Sequence, residues 1–269
     1  MHQEYNVTDP RTLRKQYHEV REKINLARAR RGDPGPEVVL VAVTSNAEPE
    51  DIRCLLEMGH VDFGEHRVQN LQQRVAMVEE FLERHRTLTP SRNVNVPPAV
   101  RWHMVGPVKR NKLRLMLRQV KLTHTISNLR IAEDIQNAAI QNDEQVDVLL
   151  QVNATRNKKL PGLTVPAALH VAELIDTMIH LQLRGVTATP PPADCALETA
   201  RLIYQRCRET FEEIKTTGIG GSKFNMLCMG NSRDYETAIE TGANVVCLEQ
   251  AIFGEKNAAA PDKAKTQPA

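Results

Sequence analysis

The sequence predicts a single (β/α)8 barrel of the TIM type with an extra N-terminal helix, on three observations. Eight short apolar segments alternate with seven helical ones along the 269 residues, the order expected of a parallel α/β fold. The first segment, Val38-Val39-Leu40-Val41-Ala42-Val43, is apolar without interruption, as a strand buried on both faces should be. No GxGxxG pattern follows it, so the glycine-rich first turn of an open dinucleotide-binding sheet is missing. In such barrels the chemistry gathers at the C-terminal ends of the strands. Thr44-Ser45-Asn46, directly after the first strand, is therefore the first place to look.

Apolar residues at helical spacing (Leu13, Tyr17, Val20, Ile24, Ala27) predict the leading helix over 11–31. Pro49 with Glu50 and Asp51 opens a helix through about residue 59, because proline suits the first turn and acids complement its dipole. His60–His66 reads as the second strand, Val68–His85 as its helix, and 86–99 as loop by composition. Val100–Gly106 is the third strand, followed by a basic helix from Pro107 to Val120. Leu122–Ser127 and Val146–Asn153 are strands four and five, with helices over 128–142 and 164–179. Leu181–Thr189 is the sixth strand; Pro190-Pro191-Pro192 stops it before a helix over 197–215. Phe224–Met229 and Asn244–Phe253 complete the set, around a helix over 232–241. The barrel is expected to occupy 1–254 as one domain, and the Ala/Lys/Pro-rich 255–269 to be a disordered tail.

Composition narrows the function. With 41% hydrophobic and 25% charged residues, the chain reads as an ordinary globular protein. A net charge of +2 supplies no field that would draw it to nucleic acid or membrane. The basic run Lys109-Arg110-Asn111-Lys112-Leu113-Arg114 lacks interleaved aromatics and reads as a solvated helix face. No segment reaches the length of a membrane span, and the start lacks a basic-then-apolar leader, so a cytoplasmic protein is expected. The five cysteines (54, 195, 207, 228, 247) show no CxxC pair and are expected to be reduced thiols. A small-molecule ligand, no nucleic acid or membrane partner, and a monomer or weak dimer follow as expectations.

The predicted strand ends offer Thr44–Asn46, Glu65–His66, His103–Gly106, Ser127, Asn153–Thr155, Thr187–Thr189, Met229–Ser232 and Glu249–Gln250. Gly230-Asn231-Ser232 combines a glycine with Asn-Ser opening a helix, which suits an anion or an ordinary helix cap. Gly218-Ile219-Gly220-Gly221-Ser222-Lys223 lacks the GK[ST] order of a phosphate loop and precedes a strand, so a flexible αβ connection is expected there. Glu65, His66, His103 and Glu249 bring two carboxylates and two imidazoles, groups suited to acid/base work or a zinc-like ion.

These segments together resemble the pyridoxal-phosphate homeostasis protein family, relatives of the N-terminal barrel of alanine racemase. The likeness runs from about residue 11 to Gly254. It rests on Val41-Ala42-Val43 with Glu50-Asp51-Ile52-Arg53, and on Asp62-Phe63-Gly64-Glu65 with Val68-Gln69. Arg101-Trp102-His103 with Gly106 and Asn111-Lys112, and Leu150-Gln151-Val152-Asn153 with Gly162-Leu163, continue it. Leu183-Arg184-Gly185, then Met229-Gly230 with Ser232 and Ala238-Ile239, and finally Ala251-Ile252-Phe253-Gly254 complete it.

The resemblance implies a barrel that binds pyridoxal 5'-phosphate as a regulatory protein, not an enzyme. It implies cofactor-site positions at Ser45, His66, Met229, Gly230, Ser232, Glu249 and Gln250. The family pattern after Val-Ala-Val is Ser-Lys-Thr-Lys, whose first lysine forms an imine with the cofactor; here that position is Ser45. A hydroxyl cannot form an imine. The family's Gly-Glu-Asn reads Gly64-Glu65-His66, and its Lys-x-Gly after strand five reads Leu160-Pro161-Gly162. The family's Val-Arg-Ile-Gly-Thr after the last strand reads Val246-Cys247-Leu248-Glu249-Gln250, so an arginine is lost and a carboxylate gained beside the expected phosphate. The expectation is a divergent, non-catalytic member, a pseudoenzyme holding the cofactor weakly and non-covalently, or holding another small anion. The alternative is a repurposed enzyme using Glu65, His66, His103 and Glu249.

Overall fold

A computed structural model describes residues 9–32, 35–88 and 95–254; the tail expected at 255–269 lies outside the described residues. After helix α1 (Pro10–Arg30) come β1 (Val39–Val43), α2 (Pro49–Glu57), β2 (Asp62–Glu65), α3 (Val68–Leu88), β3 (Arg101–Met104), α4 (Leu113–Leu117), β4 (Leu122–Ile126) and α5 (Leu129–Asn142). Then follow β5 (Val146–Asn153), β6 (Leu163–Thr164), α6 (Val165–Asp176), β7 (Leu181–Ala188), α7 (Leu197–Thr216), β8 (Met226–Cys228), α8 (Tyr235–Glu240), β9 (Val245–Leu248) and α9 (Gln250–Phe253).

Eight of the strands close a parallel ring in the order β1-β2-β3-β4-β5-β7-β8-β9. The last returns to the first, from Val39↔Val245 to Ala42↔Leu248. The two-residue β6 is an outrigger on the end of β5, pairing Val152 with Leu163. This is the predicted (β/α)8 barrel.

Alternation along each strand sorts its side chains into two layers. Phe63, Met104, Leu150 and Val186 face outward and join Ile52, Leu55, Leu71 and Tyr204 in the main core between barrel and helices. Val41, Leu122, Leu149, Cys228 and Val245, with Val39, Met226 and Cys247, fill the barrel's interior. Burying a leucine or isoleucine in the outer layer contributes about 1.5–3 kcal/mol relative to leaving it exposed.

Helix α1 buries the five residues that its periodicity singles out: Leu13, Tyr17, Val20, Ile24 and Ala27. Asp9 caps it by accepting from the Arg11 N–H at 3.1 Å, with Pro10 in the first turn. Helix α2 begins as Pro49 predicts, and Asp51 accepts from the Glu48 N–H at 2.8 Å to complete a capping box.

Four expectations change. The eighth predicted strand stops at Leu248, and Gln250–Phe253 turns helical, with the Ile252 and Phe253 N–H groups donating back to the Glu249 carbonyl. A short apolar run reads alike in either state; here docking of α9 on α1 decides it. The basic helix shrinks to a 3-10 turn at Arg110–Lys112 and the single turn α4, because only Leu113, Met116 and Leu117 offer a face to bury. Helix α3 runs on to Leu88 into the expected loop, whose residues 89–94 lie outside the described residues. The Gly218–Lys223 connection is an ordered turn, where Asp176 accepts from the Gly220 N–H at 2.9 Å.

Candidate functional site: the barrel mouth and its floor

A cavity of about 460 Å³ opens at the C-terminal ends of the strands, a size suited to a small-molecule ligand. Its rim carries His66, Arg233 and Gln250, its wall Gly230, Asn231, Ser232 and Glu249, and its floor His124, Cys228 and Cys247. No lysine lines it among the described residues.

The loop after β8 shapes one wall. Gly230 has φ +94°, and a Cβ there would lie 2.8 Å from both the Ala238 Cβ and the Tyr235 Cα, so only glycine fits. Buried Asp234 ties this loop down, accepting from the Asn231 N–H at 2.9 Å and from the Tyr204 hydroxyl at 2.7 Å. Burial, with the Asp234 charge beside it, pushes the Tyr204 hydroxyl pKa far up. The hydroxyl therefore stays a donor.

Ser232 reaches across to the start of α9. Its Oγ accepts from the Glu249 N–H at 3.3 Å and from the Ala251 N–H at 3.1 Å. Two backbone donors at the end of β9 are thus bonded within the chain. Arg233 is exposed and is held by the Pro192 carbonyl at 3.1 Å and by the Ala193 carbonyl.

Ser45 sits after β1, but its hydroxyl turns away from the cavity and donates to Glu65 Oε2 at 3.3 Å. Thr44 Oγ1 donates to the other carboxyl oxygen at 2.5 Å, and Arg74 of α3 lies 4.0 Å off. Glu65 is fully buried and points out of the barrel. The strand's alternation requires this, since a Cβ on neighbouring Gly64 would meet Val41 at 3.0 Å inside the ring. Burial pushes the Glu65 carboxyl up, against the hydrogen bond from Thr44. Glu249 is also pushed up by burial, opposed by the Asn46 N–H and reinforced by the Glu65 charge. Its Oε1 is buried with no hydrogen-bond partner. Partial desolvation and then the Arg67 charge lower the His66 pKa.

Below the cavity a polar chain runs down the barrel axis. The Cys228 and Cys247 sulfurs lie 3.7 Å apart, and Cys247 Sγ is 4.0 Å from His124 Nδ1. His124 Nε2 meets His103 Nδ1 at 3.0 Å, and His103 Nε2 meets Asp62 Oδ1 at 3.1 Å. Arg101 closes the chain with two 2.6 Å bonds to Asp62. Burial favours the neutral acid at Asp62, but the bonds from His103 and Arg101 outweigh it and hold the carboxyl well below the usual range. Burial pushes the His103 imidazole down, against the pull of Asp62.

The structure therefore brings His66, Met229, Gly230, Ser232, Glu249 and Gln250 to one cavity and leaves Ser45 beside it. The acid/base or metal quartet does not assemble: Glu65 is outside the wall, His103 is below the floor, and only His66 and Glu249 line the cavity. Sequence reading missed His124, Cys228 and Cys247. Period two in the last strands carries the signal, because these residues share the inward parity of Leu122, Met226 and Val245.

Comparison with known proteins gives a consistent result. The family model described as the alanine racemase N-terminal domain matches residues 22–254. The pyridoxal phosphate homeostasis protein of Pasteurella multocida is 26% identical over 246 residues, covering 91% of this chain and 98% of its own. That of Escherichia coli K12 is 28% identical, over 89% of this chain and 94% of its own. Among solved structures, an unknown protein from Bifidobacterium adolescentis superposes with a TM-score of 0.80 at 24% identity, covering 93% of this chain and 100% of its own. PipY of Synechococcus elongatus, with pyridoxal phosphate bound, gives a TM-score of 0.69 at 21% identity, covering 85% and 100%.

Proposed function

This chain belongs to the family of the alanine racemase N-terminal domain, and from that premise we propose a non-catalytic member that binds pyridoxal phosphate weakly and without a covalent bond, or another small phosphate-bearing anion, in the barrel-mouth cavity. One observation carries the reading: the position the family gives to its lysine is Ser45, turned onto Glu65, and among the described residues no lysine lines the cavity. Bound pyridoxal phosphate supplies an aldehyde that captures amines, and the described residues that line the cavity offer it none. Covalent attachment does not fit this site. Lys158, Lys159 and Lys223, the lysines that could stand in for the missing one, do not line this cavity. Lys158 lines a separate cavity beside α6 and α7, and Lys223 lies in the turn before β8, at the opposite end of the barrel.

The same residues argue for weak anion binding. Gly230, Asn231, Ser232, Gln250 and Arg233 place polar groups around the cavity. Against them stand Glu249, where the family pattern has glycine, and Cys247, where it has arginine. A carboxylate about 4 Å from a phosphate costs on the order of 1–4 kcal/mol in surface-like dielectric, enough to weaken binding from about fivefold to nearly a thousandfold. Ser232 must also release the two backbone donors that it holds. The relative named for pyridoxal phosphate homeostasis and PipY with its bound cofactor make that molecule the first ligand to try.

The deciding experiment titrates the protein with pyridoxal phosphate, follows absorbance, and repeats it with borohydride. The expected result is a weak, phosphate-competed interaction with no aldimine band and no trapped adduct. A strong band abolished by changing one lysine would overturn the reading.

A further inference from the structure

We propose that the floor of the cavity is a metal site, in which His124, Cys228 and Cys247 bind one thiophilic divalent cation, with zinc as the reference ion. The three side chains come from β4, β8 and β9, and their donor atoms all lie within 4.8 Å of one another. Two thiolates each about 2.3 Å from a tetrahedral zinc stand about 3.8 Å apart; Cys228 and Cys247 are 3.7 Å apart. The imidazole is a little wide at 4.0 Å from Cys247, a gap that a small side-chain rotation closes.

The chain below the floor prepares the imidazole for this role. Asp62, paired with Arg101, is a carboxylate and can only accept, so His103 Nε2 carries the proton between them. With its proton on Nε2, His103 presents Nδ1 as the acceptor for the Nε2–H of His124, 3.0 Å away. That leaves Nδ1 as the His124 ring nitrogen facing the thiols, 4.0 Å from the Cys247 sulfur. A carboxylate–imidazole relay behind a histidine is the outer-shell arrangement that orients metal ligands and raises their basicity.

Charge balance favours the ion. Binding a divalent cation releases one proton from each thiol, and two thiolates with one neutral imidazole leave the cluster uncharged inside the barrel. Three protein ligands leave a fourth position, and the cavity lies directly above it. This is the open arrangement of zinc sites that take water or a ligand atom in the remaining place. The inference is independent of pyridoxal phosphate binding, since no residue of the metal site is needed to hold a phosphate.

The test uses the full chain, purified without a histidine tag, and measures bound zinc and the spectrum after cobalt(II) replacement. The expected result is one zinc per chain and, with cobalt, a thiolate-to-metal charge-transfer band with intense tetrahedral d–d transitions. The double variant Cys228→Ser/Cys247→Ser should bind zinc at least a hundredfold more weakly while Cys195→Ser retains it, with circular dichroism confirming that both are folded. His103→Gln, a positioning change, should lower affinity about 10–100-fold yet keep the thiolate band. Zinc uptake no greater than that of the double variant, a cobalt spectrum lacking the thiolate band, or a Cys228–Cys247 disulfide in the purified protein would each overturn the proposal.

Discussion

Two layers of the same barrel lumen treat their ionisable groups in opposite ways. In the lower layer every charge has a partner: Asp62 receives Arg101 and His103, and His103 receives His124. In the upper layer Glu249 keeps a buried, unbonded Oε1, and burial pushes its carboxyl up. A paired network is costly to break and fixes geometry. The half-buried Glu249, whose carboxyl has the Asn46 N–H but leaves one oxygen unbonded, is the less constrained of the two.

The sharpest break would come from Asp62→Ala. Removing this buried carboxylate should cost about 3 kcal/mol in urea unfolding, because the buried His103 Nε2–H loses its acceptor and the half-exposed Arg101 its ion-pair partner. Glu249→Gln should stay within about 1 kcal/mol of the parent. Equal costs would erase the distinction between the layers.

Acid separates them next. His60, beneath the ring, has its pKa lowered by burial to about 4 from 6.5. The unfolded chain therefore binds the extra proton first, so this contribution is complete above pH 6.5 and is lost as pH falls toward 4, on the order of 2–3 kcal/mol. Asp62 has the same sign, its stabilisation surviving down to the acid range below the ordinary carboxylate value. Glu65 and Glu249 have the opposite sign: their raised pKa values add stability in acid, which fades as pH rises above the unfolded value. His60→Asn should flatten the acid limb of a stability–pH profile, and Glu249→Gln the limb just above it.

Ligand affinity gives a smaller effect. Replacing the carboxylate by Glu249→Gln should strengthen phosphate or pyridoxal phosphate binding about tenfold, about 1.4 kcal/mol by calorimetry. No change would mean that the anion does not sit beside this residue. Smallest is Ser232→Ala, which frees the Glu249 and Ala251 N–H groups and should cost about 1 kcal/mol in thermal stability, as loss of a helix cap does.

Much of this was legible in the chain. Uninterrupted apolar runs marked the parallel strands, and Leu13-Tyr17-Val20-Ile24-Ala27 marked α1, because both signals are local and repeat. Gly230-Asn231-Ser232 stood out as a strand-end segment suited to an anion or a helix cap, and it lines the cavity. The quartet of Glu65, His66, His103 and Glu249 misled, because nearness to a strand end does not say which face a side chain takes. His124, Cys228 and Cys247 went unseen because they come from three strands, the first two lying 104 positions apart.

By itself the sequence determined the barrel, its leading helix, and the absence of an amine after β1, since each is written in periodicity or in the identity of one residue. Tertiary structure alone decided that Ser45 turns onto Glu65, that α9 is a helix, and that two thiols and an imidazole meet under the cavity. Closure of the ring is the reason. Parity along each strand chooses inside or outside, and only when β9 returns to β1 do side chains from distant strands share one small volume.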